Sequence, residues 1–296
     1  MPELPEVETV RRGLEPAMVG SRIDRCELRR PDLRFPFPAG FADTLAGAQI
    51  VAVGRRAKYL LIELDTGHVI LSHLGMSGSF RVVDATDQAV ITDSSDILRA
   101  PQPATTHDHI VFHLNTGTQV IYNDPRRFGF MDLMNPGTRE TNKFLKDLGV
   151  EPLGNALSAD YLASAFSNRN MPAKAALLDQ SIVAGLGNIY VSEVLHRCGI
   201  GPKRMIKTLV RQNGQPRKAL RLMPDAIRNV LSAAINAGGS SLSDHRLTDG
   251  SLGYFQHQFL VYDQEGTDCP KQDCTGVVRR IVQNGRSTFY CPRCQR

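Results

Sequence analysis

Apolar positions at the start of the chain recur at helical spacing. Leu4, Val7, Val10 and Leu14 return every three or four residues, the period of one helix face. Pro2 and Pro5 stand where a missing N–H costs nothing, and Glu3, Glu6 and Glu8 suit the positive end of a helix dipole. A helix is predicted from residue 3 to about 19, with Gly20 as its stop. The period then shortens. LLIELDTGHVIL and IVFHLNTGTQVIY each set a turn signal, Asp65-Thr66-Gly67 and Asn115-Thr116-Gly117, between β-rich runs. Residues 21–134 therefore read as strands of a sandwich or flattened barrel, interrupted by a polar, proline-containing loop at 84–106.

Beyond Arg139 the pattern turns helical. Phe144, Leu145 and Leu148 share a face; Tyr161, Leu162 and Phe166 open a second helix; Leu186-Gly187-Asn188 breaks and restarts the chain; Ala219–Ile235 reads as one longer amphipathic helix ended by Gly238-Gly239. The stretch 238–255 is rich in Gly, Ser and Asp, and a loop of this length in a compact protein is usually functional or disordered. The expected fold class is α+β multidomain. An N-terminal β-sandwich with a leading helix occupies 1–135. A helical domain carrying the 238–255 loop occupies 136–259, and a small cysteine module occupies 260–296.

Composition narrows the partner more than the fold. The chain has 296 residues, 42% of them hydrophobic, enough for two compact domains and an appendage. It has no apolar run of membrane-spanning length, and MPELPEVETV lacks a basic segment followed by an apolar one, so a cytoplasmic location is expected. A net charge of +5 says little alone, but its distribution is uneven. Arg197, Lys203, Arg204, Lys207, Arg211, Arg217, Lys218, Arg221 and Arg228 share their stretch with a single acid, Asp225, and every charge after Asp273 is positive. From charge alone, a phosphate-binding face and an ordinary solvated face are equally good readings.

Cys269, Cys274, Cys291 and Cys294 stand as two pairs separated by sixteen residues. In a chain without a secretory signal this spacing reads as a tetrahedral zinc site. VVRRIV and RSTFY flank Gln283-Asn284-Gly285 as two strands of a hairpin between the pairs. So short a segment buries no adequate core, so the metal must supply its folding energy. Four protein ligands leave no position for a catalytic water, and one structural Zn²⁺ is expected. Cys26 and Cys198 stand alone and read as small buried hydrophobes.

The N-terminus carries candidate chemistry. Removal of Met1 would leave Pro2 with a free secondary amine. An α-amino group titrates near ~8, well below lysine, so a larger share is neutral and nucleophilic at neutral pH. Glu3 would stand beside it to move protons. Taken alone, Pro2 is more simply a helix-start proline.

The rest of the chain changes that balance. Met1–Val10 (MPELPEVETV), RRAKYLLI at 55–62, HLGMSGS at 73–79, HDH at 107–109, DPRRFGF at 124–130, LGNIYVSEV at 186–194 and the terminal FYCPRCQR together resemble the formamidopyrimidine-DNA glycosylase and endonuclease VIII family, and its first branch in particular. The segments run from the first residue to the last. The resemblance implies a glycosylase of base-excision repair that removes oxidised purines from duplex DNA and then cuts the strand. Its helical domain would carry a helix–two-turn–helix and its cysteine module would be a zinc-bound β-hairpin. It assigns Pro2 as nucleophile and Schiff-base residue, Glu3 as its proton donor and base, Lys58 to β-elimination and Arg286 to δ-elimination. His107, Arg126, Arg169, Lys174 and Asn188 fall at DNA-contact positions. Met76, Arg126 and Phe128 match the residues that fill the gap left by a flipped base. Ser240, Ser241, Thr248 and Tyr254 in the 238–255 loop are candidates to read that base. The expected partner is damaged double-stranded DNA, the expected state a monomer.

Two features depart from the pattern: four residues separate the first cysteine pair where two are usual, and the 84–106 loop is long. Two rival readings are a pyrimidine-specific enzyme of the other branch and a zinc-finger DNA-binding protein without activity. The Arg126/Phe128 pair and the long 238–255 loop weigh against the first. The presence together of Pro2, Glu3 and Lys58 weighs against the second.

Overall fold

The computed structural model describes residues 2–84, 105–240, 248 and 253–296. The chain divides into two compact units: residues 1–146 with 237–254, and residues 147–236 with 255–296.

The first unit opens with helix α1 (Leu4–Met18), whose buried face holds Leu4, Val7, Val10, Leu14 and Met18. That is the predicted stripe, extended by one turn. Eight strands follow: β1 (Ile23–Leu28), β2 (Ile50–Arg56), β3 (Tyr59–Leu64), β4 (Val69–His73), β5 (Ser79–Val83), β6 (Asp108–Leu114), β7 (Gln119–Asn123) and β8 (Phe130–Met134), with a short helix α2 (Phe41–Leu45) between β1 and β2. They form two four-stranded sheets, ordered β1-β6-β7-β5 and β2-β3-β4-β8, antiparallel throughout. Both predicted hairpins are present. Ile62 pairs with Ile70, and Phe112 pairs with Val120. One apolar cluster joins Phe80, Phe112 and Tyr122 of one sheet to Ile62, Ile70 and Met131 of the other, with Val7, Val10 and Leu14 of α1 against them. Two sheets sharing one core make a sandwich, as the alternation in sequence requires.

The second unit contains α3 (Ala159–Ser167), α4 (Ala173–Leu178), α5 (Asn188–Cys198), α6 (Lys218–Arg221) and α7 (Met223–Asn236), then the hairpin β9 (Arg279–Gln283) and β10 (Arg286–Tyr290). Ser158 caps α3 by accepting the Tyr161 amide at 3.0 Å, the usual way to satisfy a free N-terminal N–H. Between α4 and α5 the chain makes two turns, with Asp179 accepting the amide and hydroxyl of Ser181 in the first and Gln180 spanning both. Gln180 accepts the Gly185 amide at 2.8 Å and donates to the Leu178 and Leu186 carbonyls. Asn284 and Gly285 both adopt positive φ, 49° and 72°, as a two-residue hairpin turn demands.

Two helical expectations need correcting. Residues 139–150, around Phe144, Leu145 and Leu148, form turns rather than a helix. Phe144 lies against Phe130, with ring centroids 4.6 Å apart, while Gly149 donates its amide to the Gln180 carbonyl at 2.8 Å; those contacts replace a helical ladder. The expected single helix over 219–235 is two, divided at Leu222. Pro224 has no N–H to continue the ladder across the junction. The expected loop at 84–106 lies outside the described residues except at its ends, and so does Ser241. No described helix is long and apolar enough to cross a membrane.

Candidate active site and nucleic-acid contacts

The first unit presents two groups of residues. One gathers at the start of α1. Glu3 is the N-cap and forms a reciprocal box with Glu6: Glu3 N–H donates to Glu6 Oε2 at 2.8 Å. The other oxygen of Glu6 accepts both the amide of Ser240, at 2.9 Å, and its hydroxyl, at 3.0 Å. Ser240 bridges to Tyr254, and the Tyr254 amide donates to the Ala237 carbonyl at 2.9 Å. The neck of the 238–255 loop is therefore fastened beside Pro2 and Glu3 by one carboxylate. Further along the loop, Thr248 accepts the Val82 amide at 3.3 Å.

Lys58 sits on the two-residue turn between β2 and β3 and is 8% exposed. The turn reaches back to α1 through charged groups. Arg55 donates to the Ala57 carbonyl at 2.8 Å and to Glu8 Oε2 at 3.0 Å. Glu8 also pairs with Arg11 and Arg12. Burial alone would raise the Glu8 pKa, but Arg55, Arg11 and Arg12 outweigh it and hold the carboxyl below its ordinary value. Ala57 adopts φ 53°, a strained region for a residue with a Cβ.

The second group is a pair of loops stacked backbone to backbone. A Cβ on Gly75 would strike the Phe128 carbonyl and the Gly129 amide, so only glycine permits this approach. Asp124, fully buried, joins the loops. It accepts Ser77 Oγ–H at 2.6 Å on one oxygen, and Gly129 N–H at 2.8 Å and Tyr122 O–H at 3.4 Å on the other. Ser77 Oγ in turn accepts the Arg126 amide at 3.2 Å. Above this joint Met76 and Phe128 are exposed, at 37% and 44%, and the Arg126 guanidinium lies 4.9 Å from the Phe128 ring centroid. With Leu33, Arg34 and His73 these residues line a cavity of about 630 Å³. His73 accepts the Gly75 amide through Nδ1 at 3.0 Å and stacks on Phe130. Burial, with Lys58 and Arg34 nearby, pushes its pKa down to about 4. His107 is exposed, its ring 6.5 Å from His109.

In the second unit, α5 serves as a platform. Asn188, its first residue, donates Nδ2–H to the Ser287 carbonyl at 3.0 Å. Lys174 of α4 donates to the same carbonyl at 2.9 Å and to Thr288 Oγ1 at 2.6 Å. Glu193 accepts the amides of Leu260, Val261 and Tyr262 at 2.9, 3.0 and 2.9 Å; burial keeps its pKa raised despite these three donors. Arg286, exposed at the start of β10, overlooks a groove of about 430 Å³ lined by Met171, Lys174, Asp179, Gln283 and Asn284. Arg169 pairs with Asp179 at 2.9 Å.

The Sγ atoms of Cys269, Cys274, Cys291 and Cys294 all lie within 4.8 Å of one another. The Cys269–Cys294 and Cys274–Cys291 separations are 3.7 Å. A tetrahedron with Zn–S bonds of ~2.3 Å has edges of about 3.8 Å, so the donor set and its spacing fit zinc. The apolar cluster beneath the hairpin is only Val261, Val278 and Phe289 with Tyr262 against them, too little to hold it without a metal.

Comparison with known proteins bears on all three parts of the chain. Residues 1–131 match the formamidopyrimidine-DNA glycosylase N-terminal domain, 148–246 the formamidopyrimidine-DNA glycosylase H2TH domain, and 269–296 the zinc finger found in FPG and IleRS. The formamidopyrimidine-DNA glycosylase of Sinorhizobium medicae is 57% identical over the whole of both chains, and that of Beijerinckia indica is 54% identical over the same extent. The chain belongs to the formamidopyrimidine-DNA glycosylase family. Among solved structures, the MutM (FPG) protein of Thermus thermophilus superposes with TM-score 0.81 at 35% identity, covering 99% of this chain and 98% of that one. The Lactococcus lactis Fpg in complex with DNA containing an abasic site superposes with TM-score 0.84 at 32% identity, over the full length of both. The four cysteines are thus the site of one structural zinc, as their spacing predicted.

As a formamidopyrimidine-DNA glycosylase the chain gathers Pro2, Glu3 and Lys58 in one unit with Met76, His107, Arg126 and Phe128, and Arg169, Lys174, Asn188 and Arg286 in the other. Lys174 is 2% exposed, and its ammonium is spent on the hairpin. With Asn188 it fastens the strand that presents Arg286. Of the basic run, Arg204 donates to the Arg296 carbonyl and Arg228 to those of Gly154 and Leu157, whereas Arg197, Lys203, Lys207, Arg211, Arg217, Lys218 and Arg221 are exposed. Sequence reasoning read Glu6 as a dipole partner and missed that it joins the loop neck. It quoted His73, Ser77 and Asp124 within motifs but gave none of them a role. The available signal was an acid that opens DPRRFG, four residues before Phe128.

Proposed function

We infer that the protein is a bifunctional base-excision-repair enzyme: a DNA glycosylase that removes oxidised purines, 8-oxoguanine and formamidopyrimidines, from duplex DNA, and an abasic-site lyase. It acts as a monomer in the cytoplasm, on the nucleoid. The observation that carries this reading is the N-terminus. Pro2 precedes an α1 whose first turn is pinned by the Glu3–Glu6 box, with the neck of the 238–255 loop fastened to that same Glu6.

Loss of Met1 exposes the Pro2 secondary amine. Its nitrogen attacks C1′ of the damaged nucleotide, the C1′–base bond breaks, and the base departs with a proton. Glu3, at the N-cap, supplies and recovers protons as the sugar ring opens. The resulting iminium acidifies the C2′ proton; its removal expels the 3′ phosphate, and Lys58 serves this step. A second elimination, served by Arg286, expels the 5′ phosphate and leaves a one-nucleotide gap. Proton transfers by positioned groups are each worth roughly 10²–10⁴ in rate.

Flipping the base costs a few kcal/mol. Met76 and Phe128 are wedges into the vacated stack, and Arg126 meets the orphaned cytosine. Apolar wedges of this kind kink a duplex. His107 and Arg169 contact the DNA, Asn188 contacts a phosphate at the N-terminus of α5, and Lys174 acts at the base of the hairpin. Ser240, Ser241, Thr248 and Tyr254 belong to the loop that reads the base. The exposed basic residues of 197–221 grip backbone phosphates without regard to sequence.

The test is borohydride trapping with a duplex carrying 8-oxoguanine opposite cytosine, on protein shown by intact mass to lack Met1. A covalent protein–DNA band and β,δ-products are expected from the wild type and neither from protein whose Pro2 nitrogen is capped. Equal trapping by the capped protein overturns the assignment of the nucleophile. Preference for thymine glycol over 8-oxoguanine overturns the purine assignment.

A further inference from the structure

Helix α5 meets the cysteine module at three heights. Asn188 holds Ser287 and Glu193 holds the backbone of 260–262. One turn beyond Glu193, His196 directs Nε2 at Cys269 Sγ from 3.4 Å. His196 is buried, and its other ring nitrogen, Nδ1, has no hydrogen-bond partner among the described residues. Nothing in the proposed reaction uses this side chain.

The two cysteine knuckles differ in how their sulfurs are supported. On the tight knuckle, the backbone amides of Arg293 and Cys294 face the Cys291 sulfur. On the longer one, with four residues between its cysteines, the Lys271 amide faces the Cys269 sulfur and, from outside the module, the His196 ring meets it at 3.4 Å. A zinc-bound thiolate can only accept. With the proton on Nδ1, two lone pairs would face each other across 3.4 Å, and an N–H would be buried with nothing to receive it. With the proton on Nε2, one good hydrogen bond forms and only an unused acceptor is left over, the cheaper outcome.

We propose that His196 is an outer-sphere positioning residue for the zinc. Its Nε2–H donates to the Cys269 thiolate, aims that sulfur at the metal, and draws off part of the negative charge that four thiolates place on the site. The contact replaces the support that the longer knuckle does not give, and it joins α5 to the ion itself. Outer-shell partners of this kind typically change metal affinity by about 10–100-fold.

Three measurements on the full-length, metal-loaded protein test this. In the ¹⁵N-labelled wild type, long-range histidine spectra should show His196 protonated at Nε2 and bare at Nδ1. In His196→Phe, zinc affinity measured by competition with a chromophoric chelator should fall about tenfold or more, while His196→Gln, which keeps an N–H donor, recovers most of it. In the cobalt-substituted proteins, loss of the N–H···S bond raises the sulfur donor level. The thiolate-to-cobalt charge-transfer band should therefore move to longer wavelength in His196→Phe and return in His196→Gln, a shift that loss of packing alone does not produce. An Nδ1-protonated wild type, a band in His196→Phe at the wild-type position, or a zinc affinity within twofold of wild type each overturns the proposal. If His196→Phe does not fold, the wild-type tautomer decides it.

Discussion

Replacing Asp124 by Asn removes a charge without changing shape, at the joint between the Met76 and Phe128 loops. The carboxylate accepts Ser77 O–H and Gly129 N–H at 2.6 and 2.8 Å and a longer bond from Tyr122. The amide keeps one oxygen. Whichever way it turns, its NH₂ faces one of the two close donors, so one charge-assisted bond is lost and one buried donor is left unpaired. Hydrogen bonds to charged groups contribute about 1.5–3 kcal/mol and an orphaned buried N–H costs about 1–3 kcal/mol, so the total is about 3 kcal/mol or somewhat more. For a domain of this size that lowers the melting temperature by about 6–12 °C. Calorimetry reads this directly. Single-turnover incision of an 8-oxoguanine duplex should also slow at least about tenfold, because the proposed wedges Met76 and Phe128 lose their common anchor and small misplacements are costly in rate. Ser77→Ala removes the hydroxyl only and should cost about 1–2 kcal/mol. The double variant should cost less than the sum, because the two residues share one bond. An Asp124→Asn protein that melts within 2 °C of wild type (roughly 1 kcal/mol or less) and incises at the wild-type rate refutes the reasoning.

Other outcomes follow from the same structure. Glu193→Gln should loosen the 260–262 segment and destabilise the second unit by about 2–4 kcal/mol, since one buried and two part-buried amides lose their common charged acceptor; a denaturant midpoint equal to wild type contradicts this. Stripping zinc with a chelator should unfold the hairpin, exposing Arg279, Arg280 and Arg286 to trypsin, and should abolish DNA binding while calorimetry still shows the sandwich transition. Undiminished protease resistance after verified metal loss counts against it. His73 makes the first unit acid-sensitive. Its folded pKa of about 4 lies below the ordinary 6.5, so the unfolded chain binds the proton first. Stability is full above pH 6.5 and falls towards pH 4, by up to roughly 3 kcal/mol at 1.36 kcal/mol per unit. His73→Asn, whose Oδ1 can still accept the Gly75 amide, should flatten that slope; identical slopes rule out His73 as its source.

Periodicity was enough for α1, for both hairpins of the sandwich and for the zinc hairpin, because each buries a regular stripe or closes on a turn with its own chemistry. It failed at 139–150, where Phe144 serves an aromatic cluster built from Phe35, Tyr59 and Phe130. A face shared by three apolar residues does not reveal which partners it will find. It failed at Leu222 because a proline two residues later is tolerated in the first turn of a new helix as well as in a continuous one. The reactive candidates were legible as motifs, but their supports were not. Glu6, Glu8, Asp124 and Glu193 act across 234, 47, 47 and 67 residues of chain. An acid that will accept a distant amide looks in sequence like any solvated acid.

The divided loyalty of Glu6 has a thermodynamic corollary. One oxygen holds the backbone beside the proposed nucleophile and the other holds Ser240 at the loop neck, so neither end can move without the carboxylate registering it. By linkage, free energy that shifts Ser240 against this carboxylate is felt at the Glu3 amide, and free energy that shifts the Glu3 amide is felt at Ser240 to the same extent. In the reaction proposed above, recognition and attack would therefore share one carboxylate.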